Sequence, residues 1–268
     1  MAGRRPLVSR QRLRSLPSLE KVRQDRTQMV PARMERPILK GNEESQQCIS
    51  FRLARVGDCD ALARLHVKCS MSQPQGFMYR LGPVFLRTYY RVLLAERNSL
   101  VICAEQEGRI VGFLSGSMKA EEHISAIRKS AVRLGLAAGL AILMHPSLAE
   151  DLFRRWQFVR GSAEAGELIE VSGVRQEYWA WNAEARLGGG ALALNRVWKQ
   201  VAEAFGAKVV RLEVDRANLK VLRLQLALGA REARSFTTLD GRERVVLEYV
   251  LPYRTNHRSQ LGQSPEAD

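Results

Sequence analysis

Three consecutive glycines between a strand pattern and a helix pattern constrain this chain more than any other feature. The strand-like residues 178–181 lead into Gly188, Gly189 and Gly190, and an amphipathic helix follows until Gly206. A helix that begins after such a turn presents free backbone N–H groups and the positive end of its dipole to an anion. From these residues alone two interpretations remain open: a phosphate-binding turn, or a flexible glycine loop without a ligand.

The residues around the glycines exclude two other phosphate-binding motifs. The Gly-Lys-Ser/Thr of a P-loop is missing, and no acidic residue follows at the strand end where a dinucleotide-binding fold would carry one. Arg186 adds a positive charge at the rim of the turn. If the turn holds a ligand, a phosphate or pyrophosphate is therefore the expected group.

The patterns on both sides of the glycines predict an α/β mixed sheet. The predicted order is β-α-α-β-β, a helical insertion, then β-α-β-α-β-β, over residues 48–251. The insertion covers about residues 119–160 and carries Arg128, Lys129 and Arg133 at its flanks. The 46% hydrophobic content is that of a folded globular protein.

Both ends of the chain are polar. Residues 1–47 form a basic leader with no acidic residue before Glu20, and this composition predicts disorder. An organelle transit peptide and a misassigned start codon are alternatives, whereas a secretory signal would need an apolar core. Residues 252–268 are predicted to be a frayed tail. Neither stacking aromatics nor zinc spacings accompany the basic leader, so nucleic acid is not an expected partner.

Cysteines, histidines and apolar runs narrow the class of protein further. The 4 cysteines show no C-x-x-C pairing, which indicates reduced thiols in a cytoplasmic protein. The 4 histidines show no metal-ligand spacing, so no metal is expected. The longest apolar run, residues 134–144, is about half of the roughly 20 residues that a membrane span needs. We expect no transmembrane segment.

The glycine turn also resembles a known family motif. Arg186-x-x-Gly189-x-Ala191 is similar to the Q/R-x-x-G-x-G/A acetyl-CoA signature of the GNAT superfamily of N-acetyltransferases. Asn218 and Gly229 follow in the register of that superfamily, and the hairpin at residues 100–117 resembles its second and third strands. The resemblance covers residues 48–251 apart from the insertion. It implies a GNAT-type, mainly antiparallel mixed sheet flanked by helices.

This resemblance implies an acetyl-CoA-dependent N-acetyltransferase. A primary amine of a small-molecule acceptor would attack the thioester directly, with the pyrophosphate at residues 187–192 and the pantetheine alongside the fourth strand. Acetyl-CoA would be a co-substrate, and no metal is implied. The residues that the resemblance assigns to cofactor binding are Trp179, Trp181, Arg186, Leu187, Gly188, Gly189, Gly190, Ala191, Leu192, Asn218 and Gln225.

Glu177 is the general base that the resemblance implies. It lies on the fourth strand with the side-chain parity of the glutamate that serves this role in related histone-type enzymes. A solvated carboxylate, or an ion pair with Arg175 or Arg211, is the alternative. Tyr178 is expected to point to the other face of the sheet.

The proton donor for the leaving thiolate is a point where this chain departs from the family pattern. Gln225 stands where many members carry a tyrosine, so water, Tyr89 or Tyr90 would have to supply the proton. Asn218 is expected to support the cofactor, although a helix cap explains it equally well.

Acceptor binding is expected at the first helices. His66, Tyr89 and Tyr90 are the residues that we assign to it, with a partly exposed helix histidine as the alternative for His66. Residues 81–90 and the insertion resemble a bacterial subgroup encoded beside surface-polysaccharide genes, which implies an amino sugar acceptor. A peptide or protein N-terminus, and a non-catalytic acyl-CoA-binding regulator, are alternatives. The basic, apolar insertion would serve as a lid, a homodimer contact or a peripheral membrane contact.

Overall fold

A seven-stranded sheet carries the described part of the chain, in the order β1-β2-β3-β4-β5-β7-β6. The computed structural model describes residues 49–70, 77–150, 153, 172–185, 189–238 and 241–252. All neighbouring strands are antiparallel except β4 and β5. The predicted mixed, mainly antiparallel sheet is therefore confirmed. The strands are β1 (Ile49–Leu53), β2 (Ser99–Gln106), β3 (Arg109–Ser117), β4 (Val174–Trp181), β5 (Val209–Asp215), β6 (Arg231–Thr237) and β7 (Glu243–Val250).

The helices follow the predicted order along the chain. Between β1 and β2 lie α1 (Cys59–Ser70), the one-turn α2 (Phe77–Arg80) and α3 (Gly82–Ala95). The predicted insertion begins with α4 (Ala120–Lys129) and α5 (Ala131–Met144), and most of its remainder lies outside the described residues. After β4 come α6 (Gly190–Ala204) and, after β5, α7 (Leu219–Ala227). The predicted leader and C-terminal tail lie almost wholly outside the described residues.

Local sequence explains how these elements begin and end. The β2–β3 hairpin turns at Glu107 and Gly108, which have φ values of 50° and 75°. Such left-handed pairs match the right-handed twist of the strands that they connect. β5 alternates half-buried and buried residues, as the period of a strand that faces a core requires.

Helices cover both faces of the sheet, and each face has its own apolar core. On the α3 face, α1, α3 and α5 pack on Val101, Cys103 and Phe113. On the α6 face, α6 packs on Leu100, Ile102 and other strand residues. Alternate residues of one strand thus enter different cores, which is the reason for the apolar content of β2.

The sheet opens at its centre, between β4 and β5. Their parallel ladder contains only the pairs Val174↔Val210 and Arg175↔Arg211. By contrast, β4 pairs with β3 from Arg175 to Trp181. Among the described strands, none pairs with the β5 side of β4 beyond Arg175. Within the described residues, the backbone N–H and C=O groups on that edge of β4 therefore have no strand partner beyond Arg175. Within the described residues, no helix is both long and apolar enough to cross a membrane.

Candidate active site

A β-bulge in β4 lies at the centre of the candidate site. Ser115 pairs with Tyr178 and Gly116 pairs with Gln176, so Glu177 has no residue opposite it on β3. The Ser115 hydroxyl closes the gap, since it donates to Tyr178 O at 3.3 Å and accepts from Tyr178 N at 3.2 Å. An extra residue in one strand changes the alternation of side chains beyond it. The bulge therefore decides which side chains of β4 share a face.

Glu177 and Tyr178 both project to the α3 face because of this bulge. Tyr178 packs in the core of that face, and the Glu177 carboxylate contacts Tyr89 of α3. The expectation that Tyr178 points to the other face is therefore wrong. It assumed the strict alternation of a regular strand, and the bulge breaks that alternation between the two residues.

The Glu177 carboxylate lies in a cluster of three polar side chains from three elements. Tyr89 donates to Oε2 at 3.2 Å, and His123 Nε2 of α4 lies 3.2 Å from Oε1. The Tyr89 hydroxyl and His123 Nε2 are 3.5 Å apart. The side chain of Glu177 is 13% exposed and that of His123 is 5% exposed. Two polar side chains thus contact the carboxylate, and the side chain of Glu177 is not completely buried.

The expected alternative partners of Glu177 pair with other residues. Arg175 lies 3.3 Å from Glu213, and Arg211 lies 2.6 Å from Glu248. These contacts leave Tyr89 and His123 as the hydrogen-bonding neighbours that the structure places on Glu177. Burial, and then the charge of Glu177, raises the pKa of Tyr89 well above its usual value of 10. Tyr89 is therefore a protonated donor at neutral pH.

His66 and Tyr90 lie beside this cluster as a buried pair. The His66 ring is stacked on Tyr178 with 3.6 Å between centroids, and its Nδ1 is 2.6 Å from the Tyr90 hydroxyl. His66 is 4% exposed and Tyr90 is fully buried. Burial lowers the pKa of His66 to about 3, so the imidazole is neutral. The expectation of a partly exposed histidine is wrong, because its helix face turns inward against Tyr178.

The three residues expected to bind an acceptor therefore differ in burial: His66 and Tyr90 are buried, and Tyr89 is only partly buried. The Tyr90 hydroxyl and His66 Nδ1 are bonded to each other, and both side chains are buried. Tyr89 is partly buried and its hydroxyl belongs to the Glu177 cluster. Tyr178 was not assigned to the site. Its ring is stacked on His66, and its hydroxyl is hydrogen-bonded to Ser70 at 2.5 Å. Burial also raises the pKa of Tyr178 to about 12.

The glycine turn lies at the end of β4, and its second half is described. Gly189 has a φ of 77°, a left-handed conformation, and α6 begins at Gly190. At Gly190, a Cβ would come within 2.5 Å of the Trp181 ring. The backbone conformation therefore favours glycine at 189, and packing requires it at 190. Arg186, Leu187 and Gly188 lie outside the described residues.

The remaining predicted cofactor residues lie around this turn and on α7. Trp179 and Trp181 pack on the α6 face, while Ala191 and Leu192 belong to the first turn of α6, with Leu192 exposed. Trp179 Nε1, together with Gln176 Oε1, is buried without a hydrogen-bond partner among the described residues. Buried polar atoms are rarely left unpaired, so this part of β4 fits a polar ligand.

The two predicted cofactor residues of the α7 segment, Asn218 and Gln225, make different contacts. Asn218 is the N-cap of α7, and its Oδ1 accepts from Val221 N at 3.3 Å. The cap that was the alternative explanation for Asn218 is thus present. Gln225 is 2% exposed, and its Oε1 accepts from the Tyr249 hydroxyl at 2.6 Å. The side-chain oxygen of Gln225 is therefore already bonded to Tyr249.

Sequence reasoning missed two residues that the structure brings to the site. His123 was considered only as one of several scattered histidines, and Gln176 was not assigned any role. The helical period of α4 gives a buried side to His123, but nothing in the sequence shows that this side meets Glu177. In the described ranges, no group of three or more His, Cys, Asp or Glu residues could hold a metal ion.

Comparisons with known proteins give matches among solved structures only. Neither protein-family models nor curated proteins match this chain. A structure from Desulfovibrio desulfuricans, assigned as an acetyltransferase of the GNAT family, is 9% identical, covers 76% of this chain and 99% of its own, and has a TM-score of 0.48.

Two further structures match at similar levels. An assigned acetyltransferase from Salmonella typhimurium, solved with its cofactor acetyl-CoA, is 11% identical over 79% of this chain and 99% of its own, with a TM-score of 0.47. The ribosomal-protein-alanine N-acetyltransferase from Brucella melitensis is 16% identical over 75% and 99%, with a TM-score of 0.46. The activities named for these structures belong to those proteins.

Proposed function

We propose that this chain is an acetyl-CoA-dependent N-acetyltransferase of the GNAT type. The observation that carries the proposal is the opening between β4 and β5, which follows only two residue pairs and ends beside the glycine turn. Such an opening offers an extended ligand a free strand edge and, at its end, a helix N-terminus for an anion. A molecule with amide groups and a pyrophosphate, such as coenzyme A, fits both features.

Different residues of this chain contact different parts of acetyl-CoA in this proposal. The free edge of β4 offers backbone groups to the pantetheine amides, with Trp179 and Gln176 providing buried polar atoms on the α6 face. The backbone at Gly189 and Gly190 receives the pyrophosphate, with Arg186, Leu187 and Gly188 before it and Ala191 and Leu192 after it. Trp181 packs beneath the turn. Asn218 and Gln225 remain proposed contacts through α7.

The thioester of acetyl-CoA supplies an acetyl group that an amine accepts without a covalent enzyme intermediate. The amine nitrogen forms a bond to the carbonyl carbon, the carbon–sulfur bond breaks, and the sulfur leaves as a thiolate. Glu177 takes the proton that the attacking nitrogen loses. Tyr89 donates to Glu177, and Gln225 is bonded to Tyr249, so we propose that water protonates the thiolate.

Titration with acetyl-CoA and measurement of thiol release test this proposal. We expect binding by the full chain and amine-dependent release of coenzyme A. Gly190→Ala would weaken binding at least tenfold, because its Cβ would displace Trp181. Gly139→Ala is the matched control, since a Cβ at Gly139 of α5 meets nothing within 4 Å. If the full chain binds no acetyl-CoA, the proposal is wrong.

An amino sugar is the acceptor class that we propose, and the support is the resemblance of residues 81–90 and the insertion to the polysaccharide-associated subgroup. A peptide or protein N-terminus is the second candidate. Thiol release with a panel of amino sugars, nucleotide-linked amino sugars and peptides of equal amine concentration separates them. Higher kcat/KM for the peptides would exclude the amino sugar.

A non-catalytic acyl-CoA-binding regulator is a function of another class. The observation that favours it is Gln225, which is buried against Tyr249 where a proton-donating tyrosine was expected. Tight binding of acetyl-CoA without thiol release across the whole amine panel would establish this function. Release with any amine, abolished by Glu177→Gln, would exclude it.

The exposed side of α5 supports a peripheral membrane contact by a cytoplasmic protein. Val132, Leu136 and Leu143 are each 79% exposed and lie within about 40° of one another around the helix. Leu134 and Ala138 are buried on the other side, so α5 is apolar on two sides. Residues 123–149 contain no acidic residue. Exposed apolar side chains beside cations match the chemistry of an anionic membrane surface.

Vesicle sedimentation tests this contact. We expect binding to phosphatidylglycerol vesicles, weaker binding to phosphatidylcholine vesicles, and a loss of at least fivefold with Leu136→Glu. Val84→Glu, at a position of α3 that is 54% exposed, is the matched control. If Leu136→Glu instead converts a dimer to a monomer in light scattering and leaves sedimentation unchanged, α5 is a homodimer contact and the membrane proposal is wrong.

A further inference from the structure

The first helix of the insertion is attached firmly to the strands beside it. Ala120 N, at the start of α4, donates to Gly173 O at 2.9 Å, directly before β4. The Ser117 hydroxyl at the end of β3 donates to Lys119 O at 2.8 Å. α4 therefore begins at a fixed place between β3 and β4. His123 lies one turn into this helix, on its buried side.

The two nitrogens of His123 have different surroundings. Nε2 lies 3.2 Å from Glu177 Oε1, whereas Nδ1 is buried and has no hydrogen-bond partner among the described residues. A charged imidazolium would bury an unpaired N–H donor at Nδ1, which is costly. The neutral form with its hydrogen on Nε2 avoids that cost and donates to the carboxylate. The contacts therefore favour this tautomer.

Charged and titratable groups near His123 come from three elements. Tyr89 faces it from α3, and Glu177 faces it from β4. On α4 itself, Glu122 pairs with Lys119 at 2.7 Å. Arg175, earlier on β4, pairs with Glu213. Glu177 is thus the carboxylate within hydrogen-bonding distance of His123, and its two oxygens have separate donors.

We propose that His123 is a positioning residue for Glu177. As a neutral imidazole it donates Nε2–H to Oε1, holds the carboxylate in one orientation together with Tyr89, and keeps it ready to accept a proton. The inserted helix is then a part of the catalytic site and not only a cover over it. This role rests on the proposed acetyltransferase function, in which Glu177 touches the reacting amine.

Steady-state kinetics of the full chain test this role. His123→Leu removes the donor, so we expect kcat to fall about 10- to 100-fold, while KM for acetyl-CoA changes less than about twofold. The acidic limb of the pH–rate profile should move to higher pH, because a carboxylate that loses a donor is protonated more readily. His123→Gln, whose amide N–H replaces Nε2–H, should restore most of kcat.

Controls separate a structural effect from the proposed role. His145→Leu, at an exposed histidine after α5, should leave kcat and the pH profile unchanged. A His123→Leu variant that melts at the wild-type temperature with wild-type kcat and pH profile would overturn the proposal. So would a folded His123→Gln variant no better than His123→Leu.

A readout that needs no turnover tests the hydrogen bond itself. In ¹⁵N NMR of histidine-labelled protein, we expect His123 to carry its hydrogen on Nε2, with a signal that shifts in Glu177→Gln. A wild-type His123 with hydrogen on Nδ1 would overturn the inference, whatever the activity. Absence of thiol release from a protein that binds acetyl-CoA and shows the expected NMR signal would instead count against the proposed function alone.

Discussion

Two buried clusters, one on each face of the sheet, contain a tyrosine hydroxyl bonded to a polar side chain, and they differ in access and charge. On the α3 face, Tyr89 and His123 hold the carboxylate of Glu177, which is partly exposed. On the α6 face, Tyr249 bonds to Gln225, and Lys199 Nζ lies 3.2 Å from the centre of the Tyr249 ring.

The second cluster is sealed. Lys199, Tyr249 and Gln225 are 0%, 1% and 2% exposed. Burial lowers the pKa of Lys199 to about 6, although the ring face attracts the charged form and opposes this shift. A perturbed pKa by itself is therefore no sign of a catalytic site in this protein. The Glu177 cluster differs in that the side chain of Glu177 is 13% exposed and lies on the part of β4 beyond its last pair with β5.

The largest effect that we expect comes from Glu177→Gln. The amide cannot accept a proton, so kcat should fall about 10²- to 10⁴-fold near neutral pH. Alkaline conditions should restore part of the rate, because more of the amine is then already deprotonated. Thiol release measured from pH 6 to 10 checks this expectation. Glu232→Gln, at a surface glutamate of β6 paired with Arg216, should behave as wild type.

A Glu177→Gln variant with the wild-type pH–rate profile would remove Glu177 from the base role. The Glu177 cluster would then no longer differ from the Lys199 cluster by a catalytic role.

Lys199→Met should stabilise the fold at neutral pH, by about 1–4 kcal/mol, since the buried lysine amine must give up its proton on folding and an apolar chain of similar volume has no such cost. The pH dependence of wild-type stability follows from the number of protons that the folded and unfolded states bind. Between about pH 6 and the usual lysine value of 10.5, the unfolded lysine is protonated and the folded one is not, so wild-type stability rises with pH across this window.

Urea unfolding at several pH values measures this difference. The gap between Lys199→Met and wild type should be largest near pH 6 and should shrink toward pH 10.5. An unchanged gap across that window would show that Lys199 is charged in the folded protein. In that case the ring of Tyr249 holds it as a cation.

The smallest effects that we expect come from removing the hydroxyls of Tyr89 and Tyr249. The first removal should change kcat, and the second should change the free energy of unfolding. Tyr89→Phe removes a donor from Glu177, so kcat should drop about fivefold with little change in stability. Tyr249→Phe leaves Gln225 without its partner, so the free energy of unfolding should drop by about 1–2 kcal/mol. Paired measurements of kcat and urea unfolding check both variants. A parallel loss of acetyl-CoA affinity in Tyr249→Phe would show that Gln225 supports the cofactor, as its position in the sequence predicts.

Much of the fold could be read from residue patterns. The order of the strands and of the longer helices and the hairpin near Gly108 follow from local periodicity and turn residues, and the described residues show them. Of the predicted insertion, the described residues show α4 and α5. The position of Glu177 on β4 was also predictable. The direction of Tyr178 was not, because a bulge depends on how β4 pairs with β3, and pairing between distant segments leaves no period in either strand.

The sequence by itself determined the mixed α/β order and the glycines before α6, since each depends on neighbours within a few residues, and its resemblance to a family motif made Glu177 a candidate base. Only the tertiary structure decided that β4 parts from β5 after Arg175, that His66 and Tyr90 are buried, and that His123 meets Glu177. These facts depend on packing between elements that lie far apart in the chain: Tyr89, His123 and Glu177 come from α3, α4 and β4. The sequence places the carboxylate of Glu177 on β4, but the contacts to its two oxygens come from helices that only the tertiary structure brings to it.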